Sequence, residues 1–262
     1  MTDIDSLLAA YDEQMRGTPP NLPRGVSCER DGPLLRIVGQ FRGLISPPPD
    51  LGVSGVELDR LITRQRDYFA ARGEGVEWKI RGHDKPDDLT DHLRAAGFVP
   101  EGQETVLIGV ADDMPAEPAL PDGVIVRHVT ADADMHRIAA MESAVWQRDC
   151  GWVAEDLIGR VGTAPDEIVV LVAEADGEVV SAGWLVFREG TDFACLWGGS
   201  TLSQWRGRGI YRALVATRAA LAIARGVRFL QVDASDDSAP ILRRLGFHAV
   251  TTTTPYVWSP ME

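Results

Sequence analysis

One succession of residues occurs twice in the chain. "FAARGEGVEWKI" leads on to "LRAAGF" and "ETVLIG"; "AIARGVRFLQV" leads on to "ILRRLGF" and "HAVTTTTPYVW". In both copies an apolar stretch with helical spacing stops at a glycine, Gly73 or Gly226, and a strand-like run follows. A second helical stretch then stops at Gly-Phe, Gly97-Phe98 or Gly246-Phe247, and another strand closes the copy. Glycine just beyond a helix supplies the left-handed backbone that ends it. Helix, strand, helix, strand is the grammar of an α/β layer, in which helices cover a sheet. Finding it twice in 262 residues, room enough for two small domains, points to an internal duplication.

The two copies are joined by "GVADDMPAEPALPDG" (109–123), a proline-rich acidic stretch without apolar periodicity. It predicts a first domain over 1–112, a linker over 113–123 and a second domain over 124–262. In the first half, the sequence predicts helices over 57–73 and 87–98, strands over 76–80 and 104–109, and a meander over 33–47. In the second half "VIVRHV" (124–129) reads as a strand and 131–149 as a helix. Residues 167–187 form two apolar runs around Asp176-Gly177, the signal of a hairpin. Strands at 192–201 and 227–234, helices at 209–225 and 238–246, and a closing strand at 248–258 complete the order. A meander followed by a βαβ unit implies a mixed sheet.

Charge singles out one segment. The chain carries a net charge of -13, yet Gln204 to Arg228 holds six arginines and no acid. An acidic protein argues against a nucleic-acid or anionic-membrane partner, whereas a compact basic island suits one small anionic ligand. The arginine excess over the two lysines, Lys79 and Lys85, reads as a GC-rich, bacterial genome. The island begins "QWRGRGIYRAL", glycines and arginines leading from a strand into a helix. A helix start offers unpaired N–H groups and the positive end of its dipole. Glycines let a phosphate approach the backbone. No Gly-Lys-Ser/Thr is present for a nucleotide P-loop, and counting GxGxxG from Gly207 puts Arg212 where the third glycine belongs.

The stretch resembles the acetyl-CoA loop of the GNAT acyltransferase superfamily, [QR]xxGx[GA]. Gln204 to Gly209 matches it outright, and Arg206-Gly207-Arg208-Gly209-Ile210-Tyr211 matches the common RGxGIG form with Tyr211 in place of the last glycine. "FLQVDASDDSAPILRRLGF" is similar to the segment that follows in that family. The resemblance covers 124–258 and implies two tandem GNAT-like domains of α/β class, each a mixed, mainly antiparallel sheet flanked by helices. The first-half counterpart of the loop, near "PPPDLGVSGVELDRL", lacks the pattern and carries Glu57 and Asp59 at its helix start. That acid repels a phosphate, so the N-terminal half is expected to be degenerate and not to bind CoA.

The resemblance assigns acetyl-CoA as acyl donor, held by Gly199, Thr201, Arg206, Gly207, Arg208, Gly209, Ile210 and Tyr211, with Ser235 where the family often has Asn. A backbone amide near Thr201 would polarise the thioester carbonyl, and an amine acceptor would attack it directly. The attacking amine needs a base. Glu142, on an otherwise apolar helix face, is the candidate, with Asp149, Glu155 and Asp192 behind it. Leu242 stands where the family often carries the tyrosine that protonates CoA, which leaves Tyr211 and Tyr256 as substitutes. Trp146, Trp152, Trp184, Trp197 and Trp205 are dense enough to line an acceptor pocket, although the ordinary reading of most is core. Cys195 reads as a buried strand residue.

The expected activity is therefore transfer of an acetyl group to a primary amine of a small molecule. A non-catalytic acyl-CoA sensor is the competing reading. Three scattered cysteines and five scattered histidines give no disulfide framework or metal site. No run is long and apolar enough to span a membrane and the N-terminus is acidic, so a cytoplasmic monomer or homodimer is expected.

Overall fold

The computed structural model describes residues 3–18, 22, 25–39, 42–114 and 120–260. Residues 115–119 of the expected linker and 40–41 of the expected meander lie outside the described residues. Twelve strands and seven α-helices occur among those described, and no helix of that set is long and apolar enough to cross a membrane. They form two compact units that are not contiguous in sequence. The first takes residues 1–107, 233–241 and 248–262, and the second 108–232 and 242–247.

The first unit contains α1 (Ile4–Met15), β1 (Ser27–Asp31), β2 (Leu34–Val38), β3 (Gly43–Ser46), α2 (Gly55–Ala71), β4 (Val76–Arg81), α3 (Leu89–Ala95) and the short β5 (Val99–Pro100). It also takes the first part of β6 (Glu104–Val110) and the last strand of the chain, β12 (His248–Trp258). β1, β2 and β3 pair antiparallel in sequence order, β3 pairs parallel with β4, and β4 pairs antiparallel with β12. Its core is built from Ile45, Leu58, Ile62, Phe69, Trp78, Leu93, Phe98 and Tyr256. The sequence puts all of 124–262 in one domain. The compact units divide the chain differently, because the register Thr253↔Arg81 to Trp258↔Val76 ties β12 to the first unit's sheet. Local patterning specifies a strand but not its partner, so this exchange was invisible in the sequence.

The second unit contains β7 (Val124–Val129), α4 (Asp132–Trp146), α5 (Trp152–Thr163), β8 (Ile168–Ala175), β9 (Glu178–Phe187), β10 (Phe193–Thr201), α6 (Ile210–Ala224) and most of β11 (Phe229–Ala234). α7 (Ala239–Arg244) is divided between the units. β7, β8, β9 and β10 form an antiparallel meander and β10 pairs parallel with β11. α4 and α5 bury Met135, Ile138, Met141, Val153 and Leu157 against Val170, Val172 and Ala182 on one face. On the other face α6 buries Leu214 against Val169 and Leu171. The expected helix over 131–149 ends earlier, at Trp146, where Gln147 turns left-handed with φ 54°. The glycines read as helix stops (Gly73, Gly97, Gly226, Gly246) all have positive φ.

Candidate active site

β10 and β11 share three parallel register pairs, Phe193↔Phe229, Ala194↔Leu230 and Cys195↔Gln231. Beyond them β10 runs on to Thr201 with its ladder only to β9. That ladder breaks register between Gly198 and Ser200, with Gly198↔Gly183 and Ser200↔Ala182, so Gly199 is the inserted residue of a bulge. Gly198 and Gly199 have φ of 67° and 82°, which only glycine adopts cheaply. Leu202 N–H donates to Val180 O (3.0 Å). By the alternation of an antiparallel ladder, the N–H and C=O of Thr201 then face the opposite, open edge of β10. There the Thr201 carbonyl accepts from Arg206 Nε at 3.0 Å, while the Thr201 hydroxyl is engaged by Ser181 (2.8 Å).

A short 3-10 turn, Ser203–Trp205, leads from β10 to α6. Arg206-Gly207-Arg208-Gly209 then turns the chain into the helix, with Gly207 at φ 74° and Gly209, the N-cap, at φ 87°. No side chain caps α6 and its first turn holds no acid. Ala213 is the residue whose N–H returns to Gly209 O (3.0 Å), so the amides of Ile210, Tyr211 and Arg212 precede the helical ladder. Arg208 stacks over the Trp205 ring at 4.7 Å; Arg206, Arg208 and Arg212 are exposed. Uncapped amides, the positive end of the helix dipole and three exposed cations thus lie together at the start of α6, beside the β10–β11 gap.

Two titratable groups, Glu142 and Tyr211, meet the bulge from opposite faces. Ser200 Oγ donates to Glu142 Oε2 (2.8 Å), and the Trp146 indole N–H donates to the same oxygen (2.7 Å). Glu142 is 4% exposed. Burial pushes its carboxyl above the ordinary range, opposed by the bonds from Ser200 and Trp146 and by the charge of Arg148. Its other oxygen, Oε1, is buried without a hydrogen-bond partner. On the α6 face, a Cβ on Gly199 would lie 2.9 Å from Tyr211 Cε2 and 3.7 Å from the Tyr211 hydroxyl. Burial raises the pKa of that phenol, opposed by the charge of Arg218, so it is held protonated.

Arg218 gave no signal in the sequence. It lies on α6, 1% exposed, and has no ion pair among the described residues. Its Nε donates to Leu214 O (3.0 Å) and its Nη1 to the carbonyls of Trp197 (3.2 Å) and Trp184 (3.4 Å). Those carbonyls flank the bulge. Gly183, the partner of Gly198, leaves room for the guanidinium, since a Cβ there would come within 2.9 Å of Nη1. Burial lowers the guanidinium pKa to about 10.

The remaining sequence candidates separate. Asp149 is exposed and its Oδ1 accepts from Gly151 N (2.8 Å), while Glu155 is exposed on α5. Asp192 precedes β10, at the end away from the bulge, where its carbonyl takes the N–H groups of Arg228 and Phe229. Ser235 belongs to the first unit, its hydroxyl facing Ser238 Oγ at 3.3 Å. Tyr256 is core of the first unit, and Leu242 is fully buried. Cys195 is buried. Trp184 and Trp205 are half-buried, but Trp146, Trp152 and Trp197 are 52%, 65% and 52% exposed, against the core reading of most tryptophans.

Residues 132–247 match the family model described as the acetyltransferase (GNAT) family. No curated protein matches the chain. Among solved structures, a GCN5-related N-acetyltransferase from Kribbella flavida aligns with a TM-score of 0.72 at 18% identity, covering 100% of this chain and 97% of that one. A tandem GNAT protein from the clavulanic acid biosynthesis pathway, solved without AcCoA, aligns with a TM-score of 0.64 at 14% identity, covering 98% and 97%. A GCN5-related N-acetyltransferase from Sphaerobacter thermophilus aligns at 0.63 and 18% identity, covering 98% and 91%. These likenesses establish the tandem GNAT fold over the whole chain.

Proposed function

We propose that residues 132–247, which match the GNAT acetyltransferase family model, form a domain that moves an acetyl group from acetyl-CoA to a primary amine of a small molecule. The observation that carries this reading is the β10 bulge, where consecutive residues face two proton-handling groups: Gly199 faces Tyr211 and Ser200 faces Glu142. The pyrophosphate binds the α6 amides, Arg206 and Arg208. The pantetheine arm lies along the open edge of β10, within reach of the Thr201 N–H. The thioester then reaches the bulge, where its carbonyl is polarised by backbone N–H groups.

The amine nitrogen attacks the carbonyl carbon, a C–N bond forms and the C–S bond breaks. Glu142 takes the proton the amine must lose. A carboxyl raised by burial is a better base than an exposed one, provided the solution is basic enough to ionise it. Tyr211 gives its proton to the departing CoA thiolate and is reprotonated from solvent. It is the only tyrosine in the sequence of the second unit, and it supplies the acid that Leu242 cannot.

Leu242, fully buried, is also what favours the second reading, a non-catalytic acyl-CoA sensor. Thiol release from acetyl-CoA across a panel of primary amines tests both. Turnover with an amine supports the transferase. Binding of acetyl-CoA without turnover on any amine supports the sensor, and absence of CoA binding refutes both.

A further inference from the structure

Three of the second unit's tryptophans are half-exposed or more, and two of them flank the carboxylate assigned as base. The bulge decides this. In a regular strand Trp197 and Ser200, three apart, would face opposite sides of the sheet. With Gly199 inserted, the register Trp197↔Trp184 and Ser200↔Ala182 puts both on one face. Trp184 and Ala182 pack against α4 and α5, so that face is the α4–α5 side. Two strand positions on one face are separated by roughly 7 Å. Trp146, at the end of α4, reaches the same point, its indole N–H 3.2 Å from Ser200 Oγ and 2.7 Å from Glu142 Oε2. Two exposed indoles therefore border one buried carboxylate.

The carboxylate is unfinished. Glu142 Oε1 is buried and accepts nothing, a condition that disfavours the bare site by the desolvation cost of an unmet acceptor. The donors already present, Ser200 and Trp146, both serve Oε2. What the site lacks is an N–H donor bearing positive charge, and indole faces attract the same group. Resting on the transferase reading, we propose that the acceptor is an amine that arrives as an ammonium cation on an apolar body. Its charged end sits at Glu142 and its body between Trp146 and Trp197. The cation's N–H serves Oε1, while the Trp146 indole keeps its bond to Oε2 and its ring borders the ligand. Anionic amines, such as amino acids with a free carboxylate beside the amine, are excluded by the charge of Glu142.

The test uses the cation without an acyl donor. Benzylammonium carries the N–H donors and, with CoA in place of acetyl-CoA, has nothing to acetylate it; benzyl alcohol offers a comparable body without charge. Binding of each to the full chain is measured by calorimetry in the presence of CoA. The ammonium is expected to bind about tenfold or more tighter than the alcohol, and W197A and W146A are each expected to weaken it by about threefold to thirtyfold. W146F, which keeps a ring, retains most of the affinity and shows that the fold is intact. Equal affinity for the two probes, or an affinity indifferent to W197A, overturns the proposal even if acetyl transfer to some amine is observed. If the cation binds as expected and no amine is ever acetylated, the transferase reading fails and the cation site stands.

Discussion

Replacing Arg218 by methionine separates what this buried cation does for folding from what it does for the site. Its guanidinium titrates at about 10, well below the ordinary range, because burial disfavours the charge. At 1.36 kcal/mol for each tenfold change in proton affinity, holding the charge costs the folded state roughly 3 kcal/mol. The return is a pair of charge-assisted bonds from Nη1 to the carbonyls of Trp197 and Trp184, at 3.2 and 3.4 Å. Such bonds contribute about 1.5–3 kcal/mol each at good geometry, and less at these lengths. Methionine fills much of the same tunnel, removes the charge and leaves the two carbonyls without that donor. The opposing effects nearly cancel, so R218M is expected to fold with a stability within about 1 kcal/mol of the parent. Parent and variant should differ by the same amount from pH 6 to 9. A cation with a depressed pKa disfavours folding throughout the range below that pKa, and the penalty fades only as pH rises past it. The bulge, however, loses its clamp, and kcat/KM for acetyl-CoA should fall by at least about tenfold, the expected price of misplacing donors at the reacting carbonyl. Urea denaturation and thiol release measure the two effects. A loss of more than about 3 kcal/mol would make Arg218 a structural necessity of the fold. Full turnover in a stable R218M would show that the bulge needs no clamp. Either result refutes the reasoning.

Other consequences are as direct. E142Q should lower kcat by about a hundredfold or more while leaving acetyl-CoA affinity unchanged, and it should abolish the acid limb along which parent activity rises with pH as Glu142 ionises. A carboxyl raised by burial also makes folding less favourable as pH climbs from the ordinary carboxylate range through its elevated pKa. E142Q should therefore flatten stability against pH there, and an unchanged profile would show that burial of Glu142 does not govern its titration. Y211F should reduce kcat by roughly tenfold to a hundredfold with stability nearly preserved; a variant as fast as the parent in single-turnover thiol release excludes Tyr211 as the acid. Calorimetry should count one equivalent of acetyl-CoA per chain, and a second equivalent would mean that the first unit retains a site.

The fold was legible in the sequence wherever a local rule decides it. Glycines at helix ends marked Gly73, Gly97, Gly226 and Gly246 because no other residue takes that backbone freely, and all four have positive φ. The turn at 206–209 leading into α6 was legible because its glycines and arginines are local signals of a helix start, and Gly207 and Gly209 have positive φ. Glu142 stood out as one carboxylate on an apolar helix face, and the structure buries it beside Ser200. What was not legible depends on pairing between distant segments. The insertion of Gly199 exists only relative to Gly183 and Ala182 on β9. Arg218 looked like one more member of the basic island, yet it faces inward, because the α6 stripe that carries Leu214 also carries residue 218. Ser235 depends on pairing in the same way: chain order carries it with β11, but the compact units assign it to the first.

The two units show how one frame yields opposite outcomes. In each, a strand, a helix and a second strand make a parallel crossover with three register pairs: Gly43↔Val76 to Ile45↔Trp78 in the first, Phe193↔Phe229 to Cys195↔Gln231 in the second. In the second the strands then part and the loop is glycine and arginine. In the first the chain stays joined. Lys85 N–H donates to Pro49 O (2.8 Å), Leu51 N–H to Lys85 O (3.2 Å), and Asp50 bridges Lys85. Prolines 47 to 49 cannot donate, so their carbonyls are left to accept; that of Pro47 takes Arg16 Nη1, which also holds the buried Asp84 at 2.6 Å. Leu51 fills the space as a core residue. The acid at the start of α2, Glu57, was the sequence's reason for doubting a phosphate site there. Geometry adds a second: where the second unit's strands part, here the chain is hydrogen-bonded across, through Pro49, Leu51 and Lys85.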